Sequence, residues 1–299
     1  SLGVHWALEK DAFTFIVNLP ERPFTRRGVL SIASSIFDPL GRVTPVTIEG
    51  KLILREVMTE TKGTNVPQDS WDRPLPETSL SRWNRWRDSL CELENVYIQR
   101  CYKPPASGEI KRREVHVFCD ASEIAMGAVC YLRLVDACGQ PHLSLLLAKA
   151  KLAPAHAVSI PRLELCAAVL ATTLSRTAEA ELQGRVAIDE TVFYSDSQVV
   201  LGYIANESKR FHVYVANRVH KIHAASKPSQ WHHVSSGQNP ADLASRSVPA
   251  GRLNDTNWFR GPDFLWQPGA LPAGTTSANT GQTYDKDDPE VRKQVSTSV

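Results

Sequence analysis

Apolar and polar positions change rhythm several times along the chain, and each rhythm predicts an element. LGVHWAL and FTFIVNL alternate as two short strands around Lys10, which predicts a hairpin. From Thr25 the pattern turns helical, and Pro39, Gly41 and Pro45 divide SIASSIFDPLGRVTPVTIEGKLILREVM into two packed helices. Residues 61–76 are polar and contain proline, so they predict a linker or long loop. In SLSRWNRWRDSLCEL, Leu80, Trp83, Arg87 and Leu90 return at helical spacing with Trp86 beside them. An aromatic pair on such a helix reads as packed core rather than as a base-stacking surface.

A different rhythm runs from 113 to 250. REVHVFCD, AMGAVCYLRL and HLSLLLAKAKL are three apolar strands joined by short turns, which predicts an antiparallel meander. PRLELCAAVLATTLSRTAEAEL then takes the period of a helix, with Pro161 in its first turn. TVFYSD is a fourth strand, SQVVLGYIANES and RFHVYVANRVHKIHAAS are helical, QWHHV is a fifth strand, and NPADLASRS is a last short helix. The order predicts an α/β fold, a mixed five-stranded sheet flanked by helices. Beyond Gly251 only WFRGPDFLW supplies apolar anchors, and residues from 269 onward have the composition of a disordered tail.

Composition narrows the classes. The chain has 299 residues with 34 Lys plus Arg against 32 Asp plus Glu, so a nucleic-acid contact has to come from a local patch and not from bulk charge. No stretch approaches the roughly 20 apolar residues of a membrane span, and the first residues have none of the parts of a signal peptide, so no membrane partner is expected. The 6 cysteines form no CxxC pair and several sit in apolar runs, which points to reduced thiols in an intracellular compartment. A start on Ser rather than Met reads as a piece of a longer polypeptide.

The candidate chemistry lies in four acids. Asp120 closes the first strand of the meander and Asp196 closes the fourth strand, so the two become neighbours if those strands pair. Glu164 and Asp242 fall in the first turns of two helices, where they can project to the same sheet edge. Each has an ordinary alternative, as a turn residue at a strand end or as the partner of a helix dipole. Taken together they favour one shared site. Like charges at short range disfavour full ionisation unless cations join them. Mg²⁺ suits such hard oxygen ligands, and two ions roughly 3.5 to 4 Å apart can clamp the attacking and leaving oxygens of a phosphodiester. Mn²⁺ is a possible substitute.

VFCDAS, PRLEL, FYSDS and NPADLASR resemble the four motif blocks of a retroelement ribonuclease H domain, with Asp120, Glu164, Asp196 and Asp242 at its metal-binding, catalytic positions. SLGVHW, FDPLGRVTP, the Trp71-Asp72 pair of SWDRPLP and the RWNRWRDSL helix resemble the segments between polymerase palm and ribonuclease H in BEL/Pao retrotransposon polyproteins. The resemblance implies the end of a palm and a thumb-like region at 1–62, connection-like helix and linkers at 63–112, a ribonuclease H-like domain at 113–250, a linker toward an integrase region at 251–268, and a tail at 269–299. It also implies an RNA/DNA hybrid as substrate, a Pol polyprotein carrying palm, protease and integrase as the setting, and a cytoplasmic virus-like particle. No YxDD-type block occurs, so no polymerase activity is expected of this chain. Many relatives carry a His in the loop before the last acid. Here that loop reads VSSGQNPAD, and His232 and His233 lie earlier.

Between Glu207 and His233, five basic residues (Lys209, Arg210, Arg218, Lys221, Lys227) stand against one acid. Lys209, Arg210, Arg218 and Lys221 are candidate phosphate contacts, the alternative being an ordinary solvated face. Ser122 and Ser197, next to the acids, are candidates for nucleic-acid contact or for capping, and capping is favoured for Ser197. His220 and His223 lack the further ligands of a zinc site. Two rivals remain open on these residues. One is a silent or domesticated module of the same fold that binds nucleic acid or protein. The other is a transposase or integrase of related fold.

Overall fold

The computed structural model describes residues 3–59, 71–104, 107–156, 158–206, 210–268 and 288–292. The alternation near the N-terminus forms the expected hairpin, β1 (Val4–Ala7) against β2 (Ala12–Phe15), with Asp11 in the left-handed region at the turn (φ 43°). A two-residue strand that the pattern did not announce, β3 (Ile98–Gln99), extends it to a three-stranded sheet.

Two helices follow as expected. Thr25 caps α1 (Arg26–Ala33) by accepting the Gly28 N–H at 3.1 Å. The FDPLGR turn then leads into α2 (Thr44–Thr59), and the Asp38 carboxylate accepts the Arg42 and Val43 N–H groups, both at 2.8 Å. Of the expected linker, residues 61–70 lie outside the described residues. Beyond them Asp72 pairs with Arg27 at 2.8 Å, and Leu75 N–H donates to the Phe24 carbonyl. The tryptophan helix is α3 (Leu80–Ser89), continued by a 3₁₀ turn at Leu90–Asn95.

The main sheet has the expected five strands. β4 (Ile110–Ala121), β5 (Ala125–Asp136) and β6 (Pro141–Leu152) form the antiparallel meander. β7 (Glu190–Ser195) adds parallel to β4, and β8 (Trp231–His233) adds parallel to β7, giving the order β6-β5-β4-β7-β8. Ala148 N–H donates to the Leu40 carbonyl at 2.8 Å, so the α1–α2 turn covers the outer edge of β6.

Both sheet faces are buried, which is why β4 is nearly continuously apolar. Val115, Val117 and Cys119 face α4 (Ile160–Leu182), α5 (Gln198–Ala205) and α6 (Val213–His223). Phe118, Tyr131 and Tyr194 face the other core, where α2 and the short α7 (Ala241–Arg246) touch the sheet and α1 and α3 pack on α2. The expected junction at 112/113 therefore falls inside β4, and one apolar core runs across it.

Residues 251–268, expected as a linker, pack onto that second face. Trp258 and Leu265 are fully buried, Trp258 Nε1 donates to the Arg42 carbonyl at 2.7 Å, and the Tyr131 hydroxyl donates to the Trp258 carbonyl at 2.6 Å. The physical reason is a buried cation on β5. Arg133 donates to the Leu265 and Gln267 carbonyls, both at 2.7 Å, and pairs with Glu114 at 2.8 Å. Burial raises the Glu114 carboxyl, but hydrogen bonds from His116 and Arg133 outweigh it and bring the group down to about 2. Of the expected tail, 269–287 and 293–299 lie outside the described residues, whereas 288–292 dock on the α5–α6 connection through an Arg292 N–H to Arg210 carbonyl bond of 2.8 Å.

Gly50 lets α2 and α3 approach. A Cβ there would lie 2.4 Å from Trp86 Cη2, and the ring cannot retreat, because it is buried and its Nε1 donates to the Val46 carbonyl at 2.9 Å. Gly50→Ala gains about 1 kcal/mol of helix propensity, against about 1–3 kcal/mol for overpacking held in place by that bond. The expected net is a loss of up to about 2 kcal/mol in urea unfolding, and a more stable variant would contradict the packing.

Candidate metal centre

The parallel register Cys119↔Ser195 sets Asp120 and Asp196 side by side, each one residue past the last β4–β7 pair. α4 starts at Ile160 with proline in its first turn, and its fifth residue, Glu164, turns toward the same edge. One carboxylate oxygen from each of Asp120, Glu164 and Asp196 lies within 4.8 Å of the others, the only such group among the described residues. Asp120 and Glu164 are 3% and 7% exposed, too low for free solvation to hold their charge.

Asp242 occupies the first turn of α7 outside this group of three. Its Oδ1 accepts from Arg246 Nε at 2.5 Å, and its charge is close enough to act on Asp120. α7 reaches the sheet because of Gly127, which lies opposite Asp120 on β5. A Cβ there would stand 2.8 Å from the Ala244 Cβ and 3.0 Å from the Ala241 carbonyl oxygen.

That close approach delivers Ser245, whose hydroxyl donates to Asp120 Oδ2. Ser236, in the loop after β8, donates to Asp196 Oδ2 at 2.7 Å. Asn239 Nδ2 donates to the Cys119 carbonyl at 3.0 Å and ties the same loop to β4. These three, with Arg246, escaped the sequence reading. Their signal was present in SSGQNPADLASR: Ser245 follows Asp242 by one helical turn, and so shares its face.

Two carboxylate oxygens, Glu164 Oε2 and Asp196 Oδ1, are buried without a protein hydrogen bond. Burial pushes Asp120 up to about 7, with Asp196 and Asp242 adding to the rise and Ser245 and Arg246 opposing it. Burial, then the Asp120 and Asp196 charges, push Glu164 up to about 9. Hard oxygen donors, orphaned lone pairs and crowded negative charge fit a divalent cation, which would supply the missing partner and the missing charge together.

The other expected site residues are distributed differently. Ser122 shapes the β4–β5 turn: its Oγ donates to the Ser245 carbonyl at 2.7 Å and accepts the Ile124 and Ala125 N–H groups at 3.3 Å. Ser197 caps α5 by accepting the Val200 N–H at 3.4 Å, in line with the capping reading. Lys209 lies outside the described residues. Arg210 and Lys221 are exposed. Arg218 is held between helices, with Nε to Cys166 Sγ at 3.0 Å, Nη1 to the Tyr214 carbonyl at 3.0 Å and its guanidinium 3.4 Å from the Tyr214 ring centroid. β8 sets His232 and His233 opposite Tyr194 and Ser195.

A family model described as Pao retrotransposon-like RNaseH-like domain matches residues 25–197, more than half of the chain. The chain belongs to this family. The match covers α1 to α3 as well as the meander and includes Asp120, Glu164 and Asp196 of the Pao domain; Asp242 lies beyond it. Among solved structures, the chain is similar to the N-terminal ribonuclease H domain of a Mycobacterium tuberculosis protein, solved as a fusion with maltose-binding protein. The two are 15% identical over 48% of this chain and 99% of that one, with a TM-score of 0.30. Ribonuclease H1 from Halobacterium salinarum is 14% identical over 49% of this chain and 100% of that one, with a TM-score of 0.27. No curated protein matches the chain. No helix among the described residues is long and apolar enough to cross a membrane.

The raised carboxyls give the metal-free Pao domain a pH dependence of definite sign. Each contributes stability that is fully present below its ordinary range and is lost as pH rises through about 7 for Asp120 and about 9 for Glu164. A divalent cation has to displace those protons, so its affinity should rise with pH across that window. With Mg²⁺ or Mn²⁺ as probe, the concentration needed to raise the unfolding temperature should fall between about pH 6 and about pH 8.5, and a pH-independent requirement is the contrary result. Ser245→Ala should weaken the same metal response about 10- to 100-fold.

Proposed function

We propose that this chain is the ribonuclease H of a retroelement Pol polyprotein, hydrolysing the RNA strand of RNA/DNA hybrids during reverse transcription by two-metal-ion chemistry. The observation that carries the reading is the convergence of Asp120, Glu164 and Asp196, with two orphaned buried oxygens, in a member of the Pao RNaseH-like family. Asp120, Glu164 and Asp196 would hold one cation between them. Asp242, outside that group, would complete a second position together with Asp120. Mg²⁺ held there would acidify a water for attack on the phosphodiester and offset charge on the departing 3′ oxygen, so that cleavage leaves 3′-hydroxyl and 5′-phosphate ends.

The protein's own part is orientation. Ser245 and Ser236 each occupy one oxygen of Asp120 and Asp196, which fixes the carboxylate planes and turns their other oxygens toward the shared centre. Arg246 neutralises Asp242 in part and lowers the cost of gathering four acids. Selection of RNA rests on contacts to 2′-hydroxyls across the shallow minor groove. Arg210, Lys221 and Lys209 supply sequence-independent phosphate contacts.

In the same reading, 1–62 and 63–112 are the end of the palm with thumb-like and connection-like segments, and they position the hybrid. The palm, protease and integrase of the polyprotein are the partners, and a cytoplasmic virus-like particle is the setting.

Purified chain should degrade the RNA of a labelled hybrid with Mg²⁺, and Asp120→Asn and Asp196→Asn should each abolish detectable cleavage. Full activity in both variants would overturn the assignment. Hybrid binding without cleavage in Mg²⁺ or Mn²⁺ would make the chain a silent binding module.

A further inference from the structure

Residues 288–292 lie along the start of the basic stretch that the sequence singles out, where their backbone meets Arg210 and His212, and their two acids reach past it to Arg162 of α4 and Tyr203 of α5. Glu290 accepts from Arg162 at both oxygens, Nε–Oε1 2.5 Å and Nη2–Oε2 3.1 Å. Asp288 Oδ2 accepts from the Tyr203 hydroxyl at 2.8 Å, and Asp288 Oδ1 accepts the Glu290 N–H at 2.8 Å. The backbone is pinned as well: His212 N–H donates to the Glu290 carbonyl at 2.9 Å, and Val291 bridges Phe211.

Beneath this segment lies a stack of unusual charge. Tyr214 carries the Arg218 guanidinium 3.4 Å from its ring centroid and the Arg162 guanidinium at 4.8 Å. Two cations on one ring call for an anion. Glu290 provides it, with its side chain 8% exposed against 38% for Arg162. The first turn of α4, where Arg162 sits, holds no acidic residue, and its N-cap Ser159 makes no side-chain capping bond, so the helix dipole adds to the same demand. Arg162 is also two residues from Glu164, about 3 Å along the helix axis at 1.5 Å per residue.

A bidentate fork on a carboxylate is the geometry that a phosphate oxygen pair also satisfies, and an aromatic ring flanked by guanidiniums is a surface on which a nucleic-acid strand can lie. The covering segment is held mainly by polar contacts, with Val291 as its partly buried apolar anchor, so an anion of the same geometry competes for the same donors. We propose that Arg162, Tyr214 and Arg218 form a phosphodiester-binding subsite for a strand of the hybrid, and that Asp288 and Glu290 cover it as a displaceable carboxylate stand-in. This rests on the nucleic-acid reading given above.

The experiment measures binding of a fluorescent RNA/DNA hybrid to the full chain in EDTA, where no turnover intervenes, across a salt series. Asp288→Asn with Glu290→Gln should tighten binding about three- to tenfold and steepen the slope of log affinity against log salt by about one. Arg162→Ala should remove that gain in the doubly substituted background. Unchanged affinity on Asp288→Asn with Glu290→Gln, or a lower unfolding temperature with no gain in binding, makes the segment a structural brace and overturns the proposal. Equal loss on Arg162→Ala in both backgrounds does the same. Native cleavage with no gain in binding defeats the subsite alone, whereas absence of hybrid binding in every form defeats the subsite and the function together. Capture of an acidic peptide in place of hybrid would reassign the face to protein.

Discussion

The pairing of β4 with β7 is the constraint on which the rest of the molecule depends. Two parallel strands in register carry an aspartate each just past their last paired residues, so a low-dielectric sheet edge is made to hold two negative charges side by side. Nothing in the backbone favours this. A hydroxyl from the loop after β8, another from α7 and a nearby arginine offset part of the cost, and the remainder is stored as raised carboxyl pKa values. A site of this kind is unstable as an empty shell and is improved by a doubly charged cation, which is the chemical sense in which the fold is prepared for metal.

Delivering those donors requires layers on both sheet faces. α4 brings Glu164 from one side, and α7 brings Ser245 from the other, through the gap that Gly127 leaves. α7 in turn is braced by α2, so the helices that precede the sheet belong to the same packing unit as the acids. The Pao family match, which begins at residue 25 within those helices, agrees with that physical unit.

Much of this was legible in the sequence. The meander and the long helix follow from periodicity, and Asp120, Glu164 and Asp196 meet as their places in the elements implied, while Asp242, expected with them, lies outside that group. The switch to parallel pairing at β7 follows from the helix that must cross over. What stayed hidden were partners with no periodic signature. Ser236 and Ser245 are single hydroxyls, one in a polar loop and one in the short α7. Glu114, His116 and Arg133 look like surface charges in apolar strands, yet they satisfy one another in the core. WFRGPDFLW reads as a linker because its anchors are few, but three of its large apolar side chains, Trp258, Phe264 and Leu265, are buried. Residues 288–292 defeat a compositional reading for the same reason: the Glu290 carboxylate meets an arginine 128 positions away and Asp288 meets Tyr203, and neither contact leaves a local trace.

The docking of Arg133 on the Leu265 and Gln267 carbonyls has a practical corollary for anyone trimming this chain. Cutting at 250, where the motif blocks end, would remove both acceptors and strip the cover from a guanidinium that is 3% exposed. Arg133 would keep Glu114 but lose two charge-assisted hydrogen bonds, each worth about 1.5–3 kcal/mol, together a large share of a domain's whole stability. The smallest fragment that keeps the sheet intact therefore extends to Gln267, even though its last recognisable motif lies some twenty residues earlier.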